Sequence, residues 1–171
     1  MTHVFPARHI FLMSNMLTAD IIEVLKSIPG SNLIITVGNS FRSDDGVGPY
    51  LGKSLKLIKG LKVIDAGINP ENIIDEVIDL KPKRILIFDA ADFKAKAGQV
   101  RIIPKECIPE TTISTHAIPL NVITELISST IDTSIIFIGI QAKSFDMGDG
   151  LSDEVKISAD EIVEIIRGIA H

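Results

Sequence analysis

The sequence predicts an α/β fold of three layers (α/β/α), in which helices cover both faces of a mostly parallel β-sheet. Strand-length apolar runs alternate along the chain with segments whose apolar residues recur at helical spacing, a pattern typical of parallel sheets. The strand runs are rich in isoleucine and lack polar alternation, as expected for strands buried on both faces. The predicted strands are residues 32–37, 63–67, 84–89, 99–103 and 134–140, of which the fourth is an edge strand because Pro104 ends it.

The helices between these strands are predicted from their caps and from prolines in their first turns. The first helix precedes the first strand and ends at Pro29 and Gly30. The last helix is assigned from a capping box, a Ser-x-x-Glu pattern that satisfies two amide groups at a helix start. The residues that mark the predicted helix starts are, in chain order, Thr18, Pro49, Asn69 with Pro70, Pro119, and Ser158 with Glu161.

The length of 171 residues suits one domain with a substantial hydrophobic core. We assign residues 1–30 to an N-terminal extension that carries one helix, and residues 31–171 to a single domain. A start at Met13 or Met16 would leave that domain intact. A short apolar patch after Arg8 is compatible with a signal peptide, but no convincing cleavage site follows it.

Composition excludes several classes of protein. The mean hydropathy is high, at +0.34, yet no apolar run is longer than the four residues seen at 135–138, so no membrane insertion is expected. The net charge is −5, and the scattered Lys and Arg residues form no basic stripe for nucleic acid. Cys107 is the only cysteine, which excludes an internal disulfide and a cysteine-rich zinc site. A cytoplasmic setting fits these properties.

The most informative stretch is a glycine-rich segment directly after the first predicted strand. Residues 38–48, called the acidic turn below, read GNSFRSDDGVG and contain two adjacent carboxylates, Asp44 and Asp45. Neighbouring carboxylates repel each other and a turn alone does not need both, so their presence indicates that something at this place requires negative charge. Phosphate binding is disfavoured, because the segment lacks the glycine patterns of nucleotide-binding loops and its charge would repel an anion.

Acidic residues follow several predicted strands. Asp44, Asp45, Asp65 and Asp89 lie at or just after strand ends, and His116 lies just before a predicted helix. Ligands of open α/β sheets bind outside the carboxyl ends of the strands, near the point where the strand order reverses. Two carboxylates and one imidazole suit a divalent nickel or zinc ion, with coordination positions left open for water or substrate.

Each of these residues also has an ordinary structural interpretation. Asp44 could serve as a helix N-cap, and Asp89 could cap a turn. His116 taken alone is more often a hydrogen-bonded structural histidine than a ligand. Asp45 is harder to explain structurally, because Gly46 and Gly48 beside it allow a ligand to approach closely.

Six short motifs resemble those of one known family, in the family's order and across about residues 32–168. They are GNSxxxDDGVG at 38–48, IDAGxxPEN at 64–72, LIFDAAD at 86–92, STHxxPL at 114–120, FIGIQ at 137–141 and GLSDEV at 150–155. On these motifs the chain resembles the hydrogenase maturation endopeptidases, in the subgroup of formate-hydrogenlyase-type enzymes. The resemblance implies a twisted, mostly parallel five-stranded sheet between helices.

The resemblance also implies a function. Such enzymes remove the C-terminal extension of a [NiFe] hydrogenase large-subunit precursor after nickel has been inserted. Carried over by motif, the residues that contact nickel and act in catalysis are Asp45, Asp89 and His116, whereas Asp44 is only a motif member. The nickel comes with the precursor, so the resemblance implies no organic cofactor, and it favours a cytoplasmic monomer. An aspartic-type mechanism and a metal-dependent mechanism both stay open.

Two other functions use the same residues. A nickel-binding maturation chaperone without peptidase activity would need the same three ligands. A receiver-like signalling domain would use Asp44 and Asp45 as its acidic pair, Asp89 as its phosphoacceptor and Lys143 as its lysine. The receiver interpretation is disfavoured because Asp44 lies seven residues past Val37, whereas receivers place the acidic pair at the strand end.

Overall fold

The computed structural model describes residues 16–28, 30, 32–108 and 118–170. Within this part of the chain, helices and strands alternate as predicted, and short 3₁₀ segments cover Ser43–Gly46, Pro70–Ile73 and Lys105–Cys107. The strands are β1 (Asn32–Val37), β2 (Lys62–Gly67), β3 (Arg84–Ala91), β4 (Val100–Ile103) and β5 (Ser134–Gln141). The helices are α1 (Ala19–Lys26), α2 (Val47–Leu55), α3 (Ile74–Leu80), α4 (Leu120–Thr130) and α5 (Asp153–Ile169).

The strands form one sheet in the order β2-β1-β3-β5-β4. Strands β2, β1, β3 and β5 are parallel, and β4 pairs with β5 in the antiparallel direction at the edge. The predicted fold class and the predicted edge strand are confirmed. The chain leaves β1 toward β2 on one side and later enters β3 on the other, so the strand order reverses between β1 and β3. The carboxyl ends of these two strands are therefore the expected ligand site.

Hydrophobic clusters lie on both faces of the sheet, because successive strand residues point in opposite directions. Ile34, Leu86 and Ile138 belong to a cluster with helices α1, α2 and α5. Leu33, Ile85 and the residues that alternate with them belong to a second cluster with α3 and α4. Each face of the sheet thus carries its own helical layer. None of the described helices is long and apolar enough to cross a membrane.

The helix assigned to the N-terminal extension packs on the sheet. Ile21 and Leu25 of α1 are fully buried in the same cluster as α2 and α5. Just before α1, Leu17 forms a parallel bridge with Val100 on β4, and the Val100 amide donates to the Met16 carbonyl at 3.0 Å. Residues 1–15 lie outside the described part of the chain, and the predicted division at residue 30 stays a prediction.

Two predicted helix starts were wrong. Helix α2 begins at Val47, so Pro49 is its third residue. Helix α5 begins at Asp153 with Ser152 as its N-cap, which places Ser158 and Glu161 inside the helix. The Ser158 hydroxyl donates to the Gly98 carbonyl at 2.6 Å and thereby joins α5 to the loop before β4. The capping-box pattern was present at Ser158, but the chain was already helical one and a half turns earlier.

Candidate active site

The structure brings Asp45 and Asp89 together at the carboxyl end of the sheet. Asp45 lies in the 3₁₀ segment Ser43–Gly46 that follows β1, and Asp89 lies near the end of β3. Because β1 and β3 are neighbours, the two carboxyl groups meet where the strand order reverses. Strand β3 is two residues longer than predicted, so Asp89 is held by the sheet rather than by a loop.

A glycine conformation sets the position of Asp45. Gly38 follows β1 directly and has φ of +144°, a value that side chains disfavour. A Cβ atom at Gly38 would lie 2.0 Å from the carbonyl oxygen of Asp45, and the Asn39 amide donates to that same oxygen at 3.1 Å. The acidic turn can therefore fold back onto the strand end only with glycine at this position.

Both carboxyl groups of this pair are removed from solvent. Asp45 is 4% exposed and Asp89 is 3% exposed. Burial raises the pKa of Asp89 well above its usual range, and the nearby charge of Asp45 raises it further, against the opposing hydrogen bond from the Ala90 amide. A divalent cation between the two groups would compensate this repulsion, so the pair is suited to bind a metal or to share a proton.

Asp44 is equally buried but is surrounded by hydrogen-bond donors. Its Oδ2 accepts from the amides of Lys143 and Ser144, at 2.7 and 3.2 Å. The amide of Ser152 donates to Oδ1 at 2.7 Å, and its hydroxyl donates to Oδ2 at 3.0 Å. Asp44 thus fastens the acidic turn to the loop after β5 and to the N-cap of α5. It caps a helix that is distant in the sequence, not the one that follows it.

Further hydrogen bonds join the acidic turn to the loop after β5. The Ser43 amide donates to the Gly148 carbonyl at 2.8 Å, and the Gly148 amide donates to the Phe41 carbonyl at 3.0 Å. The Arg42 Nε atom donates to the Phe145 carbonyl at 3.0 Å. The acidic turn and the loop after β5 therefore form one joined rim beside the Asp45 and Asp89 pair.

Gln141 also shapes this rim, and the sequence did not identify it as a candidate. It ends β5 and is buried, and its Oε1 accepts from the amides of Phe93 and Ala95 at 2.9 and 3.2 Å. Its Nε2 donates to Asp92 Oδ1 at 3.2 Å. Gln141 thus shapes the loop that follows β3. A polar residue at the end of an otherwise apolar strand, on the same rim, was the signal that could have identified it.

Three residues named in the sequence analysis remain: His116, Asp65 and Lys143. His116 lies outside the described residues, and among those that are described no three His, Cys, Asp or Glu side chains cluster as a metal site. Asp65 stays on β2, where its Oδ1 accepts from the Thr36 hydroxyl at 3.2 Å. The receiver interpretation used Lys143 as its lysine, and in the structure this ammonium is paired with Glu154 on α5 at 2.9 Å.

Comparison with known sequences gives consistent results. The family profile described as hydrogenase maturation protease matches residues 47–169. A putative hydrogenase maturation protease of Methanocaldococcus jannaschii is 35% identical over 144 residues, covering 78% of this chain and 85% of the relative. The hydrogenase 3 maturation protease of Escherichia coli K12 is 34% identical over 141 residues, covering 81% of this chain and 90% of the relative.

Solved structures resemble the fold over most of its length. The solution structure of the endopeptidase HycI from Escherichia coli superimposes with a TM-score of 0.72 at 32% identity, covering 80% of this chain and 89% of that one. The crystal structure of a [NiFe] hydrogenase maturation protease HycI from Thermococcus kodakarensis superimposes with a TM-score of 0.73 at 25% identity. It covers 86% of this chain and 98% of that one.

Proposed function

Because the chain belongs to the hydrogenase maturation protease family, we propose that it recognises nickel bound in a [NiFe] hydrogenase large-subunit precursor through Asp45, Asp89 and His116. The chain is an endopeptidase of this family, and its reaction is the removal of a C-terminal extension from the precursor. The metal is part of the substrate in this scheme, and the protein itself needs no organic cofactor. We place the enzyme in the cytoplasm, as a monomer.

The observation that carries the proposal is the pair of buried carboxyl groups at the strand-order reversal. Asp45 and Asp89 come from different elements and are brought together in a place that water reaches poorly. Like charges in such a place raise the free energy of the empty site. A nickel ion that arrives with the precursor compensates this repulsion, so binding is strongest for the metal-loaded form. Cleavage is thereby coupled to completed metal insertion.

The protein supplies a carboxylate and a fixed geometry to the hydrolysis itself. Asp45 or Asp89 can accept a proton from the attacking water, which is the role of a general base. The precursor's nickel, when bound, can polarise the scissile carbonyl and acidify a coordinated water. The acidic turn and its joined loop hold Asp45 in place while the bond is broken.

The experiment compares nickel-loaded precursor with metal-free precursor, each incubated with purified enzyme. We expect loss of a C-terminal peptide, measured by mass spectrometry, only from the nickel-loaded form. Efficient cleavage of the metal-free precursor would exclude coupling to nickel. Binding of the nickel-loaded precursor without any loss of mass would favour the chaperone alternative.

A further inference from the structure

A groove beside the candidate active site has no role in the function proposed so far. It encloses about 460 Å³ and lies between α2 and the start of α5. Ser43 and Gly46, which flank Asp45 in the 3₁₀ segment, form part of its lining. Gly46 and Leu151 both line the groove, and a Cβ atom at Gly46 would lie 3.7 Å from Leu151 Cδ2. A side chain longer than that of alanine at position 46 would therefore narrow the groove beside the acidic turn. The groove is therefore continuous with the acidic turn.

The walls of the groove are largely apolar and are held in place by polar contacts. Pro49, Tyr50 and Leu151 contribute to the lining. The Tyr50 hydroxyl donates to Asp160, and the Lys156 ammonium pairs with the other oxygen of Asp160 at 2.7 Å. This ammonium also lies 5.6 Å from the centre of the Tyr50 ring. Tyr50 is thus fixed as a wall, and the charge of Lys156 is already compensated.

A second lysine adds an unpaired positive charge to the lining of the groove. Lys53 lies on α2, three residues after Tyr50, and also lines the groove. It makes no ion pair with any residue in the described part of the chain. An apolar groove with one uncompensated ammonium matches a peptide that combines apolar side chains with a carboxylate.

We propose that this groove binds the C-terminal extension of the precursor and that Lys53 pairs with a carboxylate of that extension. The proposal rests on the proposed function, because it assigns the occupant from the peptidase reaction. A groove of this volume holds a short stretch of peptide rather than a folded domain. The extension is the part of the substrate that must leave the site as a peptide, and the groove begins at the turn that carries Asp45.

The test uses a synthetic, fluorescently labelled peptide with the sequence of the extension and measures its binding by anisotropy. Lys53→Glu should weaken binding by about tenfold or more, since it replaces attraction with repulsion. Lys53→Arg should retain the wild-type affinity within about threefold, because the charge is kept. Lys56→Glu is the matched control, since Lys56 is exposed just after α2 and does not line the groove. It should bind like the wild type.

Two further peptides identify the carboxylate. In one the terminal carboxylate is amidated, and in the other the Asp and Glu side chains are replaced by their amides. The peptide that lacks the relevant group should bind weakly and should no longer distinguish wild type from Lys53→Glu. Equal binding of all peptides to all variants, or no binding to the wild type, would overturn the proposal.

Cleavage of the nickel-loaded precursor by the wild type is measured separately. If the wild type cleaves the precursor but the peptide affinity does not depend on Lys53, the groove proposal is overturned and the proposed function stands. Peptide binding that depends on Lys53, without cleavage of the precursor, would overturn the proposed function instead.

Discussion

Asp44 and Asp45 are adjacent in the sequence and almost equally buried, yet their surroundings are opposite. Asp44 accepts four hydrogen bonds from Lys143, Ser144 and Ser152. Asp45 lies close enough to Asp89 to raise that residue's pKa. Asp44 is thus stabilised by amide and hydroxyl donors, whereas Asp45 is one of two neighbouring buried carboxyl groups.

The difference shows how a structural acid can be told from a functional one. Burial alone does not separate them, because all three carboxyl groups are at most 4% exposed. The neighbours separate them: amide and hydroxyl donors surround Asp44, whereas a second carboxyl group lies beside Asp45. The second carboxyl group nearby makes Asp45, rather than Asp44, the candidate to bind a positively charged ligand.

The largest expected effect is loss of processing when the pair is neutralised. Asp45→Asn and Asp89→Asn should each reduce cleavage of nickel-loaded precursor by about a hundredfold or more, since each removes a charged ligand and a potential base. Asp89→Asn should also raise the free energy of unfolding at pH 7, by about 1 kcal/mol, because it removes a carboxyl group whose pKa is raised by burial and by Asp45. Mass spectrometry and urea denaturation measure the two effects.

Asp79→Asn is the matched control for both variants, because Asp79 is an exposed carboxylate on α3 outside the site. It should change neither quantity. Full processing by Asp45→Asn or Asp89→Asn would exclude a catalytic role for that residue. The proposed functional difference between that residue and Asp44 would then be wrong.

The next largest effect concerns Asp44 and the free energy of unfolding. Asp44→Ala leaves four donors without their acceptor and should lower the free energy of unfolding by about 3 kcal/mol. Asp44→Asn keeps one carbonyl oxygen and should cost less, about 1 to 2 kcal/mol. Urea denaturation gives both values. A loss of processing by Asp44→Asn without any loss of stability would contradict the structural role.

The third effect concerns stability alone and tests a buried acid whose pKa is raised by burial and not by a second acid. Glu161 is buried on α5, and its Oε2 has no hydrogen-bond partner among the described residues. Burial raises its pKa to about 7 from 4.5. The unfolded chain therefore ionises Glu161 first, and stability falls as the pH rises between these two values. Glu161→Gln should be more stable than the wild type by about 2 kcal/mol at pH 8 and equal to it at pH 4. Urea denaturation at the two pH values checks this, and a constant difference would refute the assignment.

The layers, the edge strand and the position of Asp45 after the first strand could be predicted from the sequence, whereas the strand order is known only from the structure. Buried parallel strands are recognisable because each is a short isoleucine-rich run, and the rule for parallel sheets then places the site at their carboxyl ends. The placement of Asp45 and Asp89 at neighbouring strand ends agrees with that rule and with the motifs. The place of His116 in the site is still a prediction.

The long-range partners could not be predicted. Asp44 is bonded to residues about a hundred positions away in the chain, and nothing local to the acidic turn specifies them. Ser158 illustrates the same limit, because its hydroxyl bonds to Gly98 across the fold while its local pattern indicated a helix cap. Local patterns report what a segment can form alone, whereas these contacts are decided by tertiary packing.

The short pairing of Leu17 with Val100 has a consequence for the behaviour of the protein in a crowded cell. Strand β4 is the outer strand on its side of the sheet, and outer strands invite another chain to add to them. Residues 16 and 17 occupy part of that edge, and α1 then covers the apolar face next to it. The segment before the first strand thus blocks part of an edge at which another chain could add to the sheet.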